Sequence, residues 1–329
     1  MRRQKLAVTL QARNNQGANG TASVTITAKA EEPTPEVKME TGEVMVSSDW
    51  VRVTLTTPFA NPVVIAGPPS FSNSEPCVIR LRNVNSTGFD IRLTEWNYQD
   101  GVHPQEAVSY LVMEKGRHTL PNGSSVEAGT YAGTTSFKTV PFSKPFTKAP
   151  VVLTTIASYN ETDTISGRIK SVTTTSFAYY FREQEKNKNI HVNETVNFIA
   201  WEPGTGTIGS VQFEAAATAN AVTSAWYSAT FQTAAPQAPL LLADMQTTNN
   251  TDTSVLRVQK LTIQCNQPPH DRQATSKAHR SARETDHENN DHAHQGSPYR
   301  SPDQPPCRRL FSFGLWSRLY WQPQRSEHH

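Results

Sequence analysis

A stretch of about 88 residues occurs twice in this chain, and that duplication limits what the chain can fold into. Residues 62–116 align without a gap with residues 150–204, and 14 of the 55 aligned positions are identical. A third copy follows at an offset of 89 and stops matching after Leu261. Self-similarity at a fixed period indicates that each copy is one structural unit, so we expect tandem modules of a single fold.

Apolar and polar residues alternate along several short segments of each copy. The alternation covers residues 89–94 and 177–182, and it recurs along 108–112 and 196–200. A period of two indicates strands that place one face on a core and the other in solvent. Short strands joined by turns predict the fold class: all-β, with tandem small antiparallel β-sandwiches and a disordered C-terminal tail.

The same patterns divide the chain into six segments. Alternation near the N-terminus predicts a hairpin, whereas seven of the ten histidines lie beyond residue 269, where alternation is lost. We predict the C-terminal strands of an Ig-like module (1–30), a linker (31–39), repeat 1 (40–118), repeat 2 (128–206), a truncated repeat 3 (217–261), and a tail that is disordered or frame-shifted (262–329).

Composition and motifs disfavour several classes of function. The formal net charge of +2 is too small to favour nucleic acid as a partner, and three cysteines make neither a disulfide framework nor a metal motif. The sequence contains no Gly-rich phosphate loop, nucleophile elbow or HExxH motif, and no run of 18 apolar residues. We therefore predict no enzyme activity, no catalytic residues, no cofactor, no metal site and no membrane span.

An ordered set of short pieces carries a family resemblance. A Phe precedes a Pro-Val-Val-Leu segment, a later strand carries Arg-x-x-x-Val, a Phe strand follows, and a last strand reads Val-x-aromatic. The pieces are Phe146–Leu153, Arg168–Val172, Gly88–Phe89, and 108–112 or 196–200. They resemble the H-type lectin domain, the six-stranded module of snail agglutinins and of discoidin C-terminal domains. The N-terminal hairpin resembles the end of Ig-like or cadherin-like modules of bacterial surface proteins.

The resemblance implies a sugar site. The family binds N-acetylgalactosamine and related sugars at a trimer interface, using an arginine and a Trp-His pair. Its carbohydrate-binding positions correspond here to Arg80, Trp96, Asn97, Arg168 and Arg257, with Asn97 standing where the family has histidine. The resemblance also implies galactose-like glycans as partners, and either a trimer or three copies packed as a pseudo-trimer within one chain.

Structural interpretations stand beside these functional ones. Trp96 would instead close the edge of a core, and Arg80 would lie on a solvated face. His103 and His191 coincide in the two copies, each followed by a glutamate three residues later, but no third metal ligand is evident in sequence. A hydrogen bond in a loop is the simpler role for these histidines, and the tail histidines carry no prediction.

We therefore expect a carbohydrate-binding or adhesion module of a larger secreted or cell-surface protein. The alternative is a structural stalk or spacer whose repeats bind no ligand. The apolar run Leu6–Leu10 is too short for a signal peptide, so we expect this sequence to be a fragment of a longer extracellular or surface chain.

Overall fold

The structure is a computed structural model that describes residues 5–13, 19–27, 37–184, 190–232, 239–249, 253–265, 307–313 and 317–323. Every regular element among these residues is a β-strand, and the strands form several small antiparallel sheets, which confirms the all-β class. In this described part of the chain, no helix is long and apolar enough to cross a membrane. The chain divides into two units, Met1–Val37 and Lys38–His329.

The first unit contains one antiparallel hairpin. Strands β1 (Lys5–Arg13) and β2 (Asn19–Thr27) pair along their whole length, with Lys5 opposite Thr27 and Arg13 opposite Asn19. The hairpin forms where the sequence predicts one. That it ends an Ig-like module stays a prediction.

Repeat 1 consists of six strands in two three-stranded sheets. The strands are β3 (Met39–Val46), β4 (Val51–Thr54), β5 (Pro62–Pro69), β6 (Cys77–Asn85), β7 (Gly88–Glu95) and β8 (Glu106–Glu114). One sheet has the order β3-β8-β5 and the other the order β4-β7-β6. The central strands β7 and β8 are those in which the sequence shows alternation, because each packs one face on the core between the sheets.

Repeat 2 has the same topology with one added edge strand. Its strands are β9 (Gly116–Thr119), β10 (Ser125–Gly133), β11 (Lys138–Pro141), β12 (Val151–Ile156), β13 (Ile165–Lys170), β14 (Ser176–Glu183) and β15 (Glu194–Trp201). The sheets have the orders β12-β15-β10-β9 and β11-β14-β13. Strand β9 comes from the connection between the repeats and pairs with β10, so this connection continues the sheet of repeat 2.

Repeat 3 extends beyond the boundary that the sequence predicts. Its strands are β16 (Gly204–Ile208), β17 (Val211–Ala217), β18 (Tyr227–Thr230), β19 (Leu240–Ala243), β20 (Val258–Cys265), β21 (Cys307–Phe313) and β22 (Ser317–Pro323). The sheet orders are β16-β17-β22-β19 and β18-β21-β20, so β21 and β22 occupy the central places of β7 and β8.

Strands β21 and β22 lie within residues 262–329, the tail that the sequence predicts to be disordered or frame-shifted. The predicted boundary at residue 261 falls inside β20, and two more strands lie within the tail. The physical reason is pairing: without central strands, β17–β20 would leave open edges whose backbone groups lack partners. Residues 266–306, 314–316 and 324–329 lie outside the described residues, and the prediction of disorder for them stays a prediction.

Equivalent residues build the cores of repeats 1 and 2. Phe89 and Phe177 are fully buried at the same position of β7 and β14, and Val108 and Val196 are fully buried at the start of β8 and β15. The duplication in sequence is therefore a duplication of core packing. Polar residues near the ends of these strands are buried as well, and they lie where one repeat meets the next.

Candidate functional site

The three arginines of the predicted sugar site lie at equivalent positions, on β6, on β13 and directly before β20. The residues Arg80, Arg168 and Arg257 are 0%, 5% and 8% exposed. Each reaches a neighbouring repeat instead of solvent. Each guanidinium therefore lies at a boundary between repeats, and Arg168 and Arg257 also line a groove there. Their role in sugar binding stays a prediction.

Arg80 of repeat 1 binds repeat 2. Its Nη2 donates to Oε1 of Glu194 at 2.8 Å, and both side chains are completely buried. Its Nη1 donates to the carbonyl oxygen of Asp163 at 3.1 Å, and its guanidinium lies 4.7 Å from the ring centre of Tyr159. Burial lowers the pKa of Arg80, and the Glu194 carboxylate opposes that shift. A charged pair thus holds the first two repeats together.

Arg257 of repeat 3 makes the same set of contacts with repeat 1. It donates to the carboxylate of Glu106 and, at 2.8 Å, to the carbonyl oxygen of Ser70. Its guanidinium lies 5.3 Å from the ring centre of Phe71. Glu106 and Phe71 precede Glu194 and Tyr159 by 88 residues, so the two boundaries use equivalent partners.

The boundary between repeats 2 and 3 has different chemistry. Arg168 of repeat 2 contacts the sulfur of Met245 in repeat 3, with 3.1 Å between Nη1 and Sδ. The order of contacts is therefore repeat 1 to 2, 2 to 3 and 3 to 1, which closes a ring of three. The residue at the third aromatic position is Thr248, whose hydroxyl donates to the carbonyl oxygen of Ile169 at 3.0 Å.

Aromatic pairs reinforce the two arginine–glutamate boundaries. The ring of Trp50 in repeat 1 packs edge-on against Tyr159 in repeat 2, with 5.3 Å between ring centres. Trp226 in repeat 3 packs in the same way against Phe71 in repeat 1, at 5.0 Å. Edge-to-face pairs at this distance are favourable beyond the area that they bury. These aromatic residues were not predicted as site residues, although Trp50 and Trp226 begin equivalent copies.

Of the remaining predicted site residues, Trp96 is buried and Asn97 contacts the neighbouring repeat. Trp96 is 5% exposed, so it closes the edge of the core and offers no flat surface to a sugar. Asn97 is exposed, and its Nδ2 donates to Oδ1 of Asp163 in repeat 2 at 2.6 Å. Its Oδ1 accepts from the backbone N–H of Thr164 at 3.1 Å. The predicted residues other than Trp96 thus form two groups: Arg80 and Asn97 both bind Asp163, and the other two arginines line one groove.

Both coincident histidines are buried beside the boundary glutamates. The ring of His103 lies 3.5 Å from Glu106, and Nδ1 makes a 2.8 Å hydrogen bond with Glu95. Glu95 is the further acid that sequence analysis did not connect with the histidine, because it lies at the end of the preceding strand. The available signal was its coincidence with Glu183 at the repeat offset.

The inner strands of successive repeats are joined by side chains that bind backbone N–H groups. The backbone N–H of Ala66 in repeat 1 donates to Oγ1 of Thr155 in repeat 2 at 3.0 Å. At the equivalent position, the N–H of Thr154 in repeat 2 donates to Oδ2 of Asp244 in repeat 3 at 2.9 Å. Burial raises the pKa of Asp244 to about 6, although hydrogen bonds from Thr154 and Met245 oppose the shift.

A groove opens beside the boundary between repeats 3 and 1. Its volume is about 780 Å³, and its lining includes Phe71, Trp226, Thr247, Asn249 and Arg257. Trp226 is 43% exposed at this groove. An exposed indole next to hydroxyl and amide groups is the combination that sugar sites use, since the ring covers the apolar face of a sugar and the polar groups bind hydroxyls.

Comparison with known proteins gives one relative. Over 224 residues the chain is 34% identical to halomucin of Haloquadratum walsbyi, a match that covers 64% of this chain and 2% of halomucin. The chain thus spans a very small part of that relative. No family model and no solved structure matches the chain.

We expect the Arg80–Glu194 pair to be coupled energetically. Replacing Glu194 with Leu leaves a buried guanidinium without its carboxylate, so the free energy of unfolding should fall by about 3–5 kcal/mol. Adding Arg80→Met should recover part of that loss, because the uncompensated charge is removed. The measurement is a double-mutant cycle by chemical denaturation, and strictly additive effects of the two changes would contradict the coupling.

We expect stability to depend on pH through Asp244. Burial raises the pKa of this carboxyl from its ordinary value of 3.8 to about 6 in the folded chain. Its contribution to stability is therefore complete below about pH 4 and is lost as the pH rises through 6. The whole loss amounts to about 3 kcal/mol. Asp244→Asn should flatten the dependence between about pH 4 and 6, measured by denaturation at each pH. An unchanged slope in this variant would argue against the assignment.

Proposed function

We propose that this chain is a structural and adhesive module of a larger surface protein, in which three covalently linked repeats close on one another as a pseudo-trimer. The observation that carries the proposal is the burial of one arginine from each repeat against the next repeat. An H-type lectin resemblance implies a trimer of separate chains. In this protein, covalent linkage of three repeats in one chain would replace the association of three separate chains.

The cost of burying an unpaired charge favours three repeats packed together over three repeats that fold and move independently. A buried guanidinium without a partner is very costly, and so is the buried carboxylate that it would leave behind. Repeat 1 supplies Arg80, and repeat 2 supplies Glu194. In a repeat that stood alone these groups would be hydrated, so the cost arises only when a neighbouring repeat buries one group without supplying the other. The chain therefore fits a rigid building block better than a flexible stalk of separate domains.

Location at a surface is supported by the similarity to halomucin. The match covers 64% of this chain but 2% of halomucin, so we propose a part in a large surface or secreted protein and not that protein's whole function. The membership of the repeats in the H-type lectin family is a further proposal. It is supported by the six strands of repeat 1, arranged as two sheets of three.

Carbohydrate binding is the second candidate, and the groove at Trp226 favours it. The predicted site at Arg80 and Trp96 is buried, whereas Trp226 is exposed beside Asn249 and Thr247. A galactose-like sugar would stack on the indole and bind the amide and hydroxyl groups at the rim. We propose that this groove is the glycan-binding site of the chain.

We expect the repeats to open together. Arg80→Met should raise amide exchange in the strands of both repeat 1 and repeat 2, because the lost contact joins them. Hydrogen-exchange mass spectrometry on the full chain measures this for each peptide. A matched control is Ile190→Ala, since that side chain is 83% exposed and its loss should change neither repeat. Increased exchange confined to repeat 1 would contradict the closed unit.

We expect Trp226→Ala to abolish any binding of galactose or N-acetylgalactosamine, because loss of the stacking surface removes the main apolar contact. The control is Phe137→Ala, at the equivalent position of repeat 2, where Thr248 replaces the partner ring. Titration calorimetry with the full chain at millimolar sugar is the measurement. Binding that persists in the Trp226 variant, or that is absent from the unmodified chain, would reject the groove as a sugar site.

A further inference from the structure

Three ligand-type side chains meet inside repeat 2, in what we call the repeat 2 cluster: Glu161, Glu183 and His191. Glu161 comes from the loop after β12, Glu183 ends β14, and His191 precedes β15. Their carboxylate and imidazole atoms all lie within 4.8 Å of one another. Residues that are far apart in sequence thus converge on one small space.

The cluster contains buried polar atoms without hydrogen bonds. Glu183 is 5% exposed and His191 is 2% exposed. Within the part of the chain that the structure describes, neither carboxylate oxygen of Glu183 has a hydrogen-bond partner, and neither does Nδ1 of His191. Leaving such groups unsatisfied costs about 1–3 kcal/mol each, and more for a charged group. A ligand that binds all three atoms would remove this cost.

Two separations inside the cluster match the spacing that a small cation imposes, although Oε2 of Glu161 also accepts from the backbone N–H of Val192 at 2.8 Å. Nδ1 of His191 lies 3.4 Å from Oε1 of Glu183 and 3.6 Å from Oε2 of Glu161. Both distances are too long for good hydrogen bonds. Tetrahedral ligands with bonds of about 2.0–2.2 Å stand about 3.3–3.6 Å from one another. The two distances from the imidazole to the carboxylates are therefore those of a metal-binding set, and all three ligand atoms lie within 4.8 Å of one another.

A carboxylate holds the imidazole of His191 through its other nitrogen, Nε2, as is usual for metal-binding histidines. Nε2 of His191 lies 3.2 Å from Oε1 of Glu194, so an N–H at this position donates to the carboxylate. Donation from Nε2 leaves the lone pair of Nδ1 directed into the cluster, which is the arrangement that orients metal-binding histidines. The ring of Phe181 packs edge-on against the imidazole at 5.6 Å and fixes its plane.

The local charge also favours a cation. The carboxylates of Asp163 and Glu161 lie close enough to Glu183 to repel its negative charge. The nearby guanidinium of Arg80 is paired with Glu194. The side chain of Glu161 is 28% exposed, which gives the cluster a route to solvent and room for water.

We propose that Glu161, Glu183 and His191 bind a divalent transition-metal cation of the Zn²⁺ type, with water completing the coordination. A mixed imidazole and carboxylate set suits such cations, whereas Ca²⁺ and Mg²⁺ prefer oxygen ligands alone. The site would join the loop after β12 to the end of β14 and to the segment before β15. It would therefore stabilise the side of repeat 2 that receives Arg80, whatever glycan the chain binds.

Repeat 1 contains a similar group, Glu75, Glu95 and His103, whose ligand-type atoms also lie within 4.8 Å of one another, but hydrogen bonds join its members. His103 and Glu95 correspond to His191 and Glu183, but here Nδ1 and the carboxylate are joined by a 2.8 Å hydrogen bond. The second oxygen of Glu95 accepts from the backbone N–H of Gly101 at 3.2 Å. On the opposite side of the imidazole lies the guanidinium of Arg257, 3.4 Å from Nε2. Hydrogen bonds thus satisfy this copy, which makes Glu95 the matched control.

The test measures the unfolding midpoint of the chelator-treated full chain with and without Zn²⁺. At a zinc concentration 100-fold above the dissociation constant, the ratio of folded to unfolded protein should rise about 100-fold. Glu183→Gln and His191→Ala should each lose this response, while Glu95→Gln should keep it.

Glu183→Gln provides a second readout that does not depend on metal. Removal of a buried carboxylate without a partner should leave the metal-free variant at least as stable as the unmodified chain. A variant that folds well and ignores zinc therefore supports the site. A zinc response that persists in both cluster variants, no response in the unmodified chain, or an equal response to Mg²⁺, would overturn the proposal.

Discussion

The buried guanidinium of Arg80 is the constraint on which the arrangement of the repeats depends. A charge taken out of water must meet an opposite charge in good geometry, because the desolvation of an unpaired ion exceeds what packing alone recovers. Repeat 1 holds the cation, and Glu194 of repeat 2 holds the anion, with 2.8 Å between them. The two repeats are therefore one energetic unit, even though each has its own core.

Each of the three boundaries between repeats buries an arginine, but the partner of that arginine differs between boundaries. Arg257 uses Glu106 and Phe71 as Arg80 uses Glu194 and Tyr159. At the remaining boundary the arginine meets Met245, and Asp244 contributes a carboxylate that binds a backbone N–H instead. Copies joined in one chain are free to diverge in this way, since each boundary occurs once. In a symmetric trimer of identical chains, all three boundaries would have to use the same side-chain contacts.

Divergence also separates the two histidine clusters. In repeat 1 a hydrogen bond joins His103 to Glu95, whereas in repeat 2 the corresponding atoms of His191 and Glu183 stand 3.4 Å apart. The difference follows from which charges surround each histidine: Arg257 approaches His103, and three carboxylates approach His191. One ancestral arrangement can thus serve as a closed hydrogen-bond network in one copy and as a cation site in another.

The sequence by itself determined the fold class and the repeat, because alternation with period two and an ungapped 88-residue match depend on local order alone. It also singled out the recurring arginines. Tertiary structure decided their role: the partners of Arg80 and Arg257 lie 114 and 151 residues away in sequence. No local pattern records which repeat a side chain will face. Packing between repeats therefore buried Arg80 and Arg257 against glutamates of the next repeat, and left Trp226 exposed where sequence analysis placed no site.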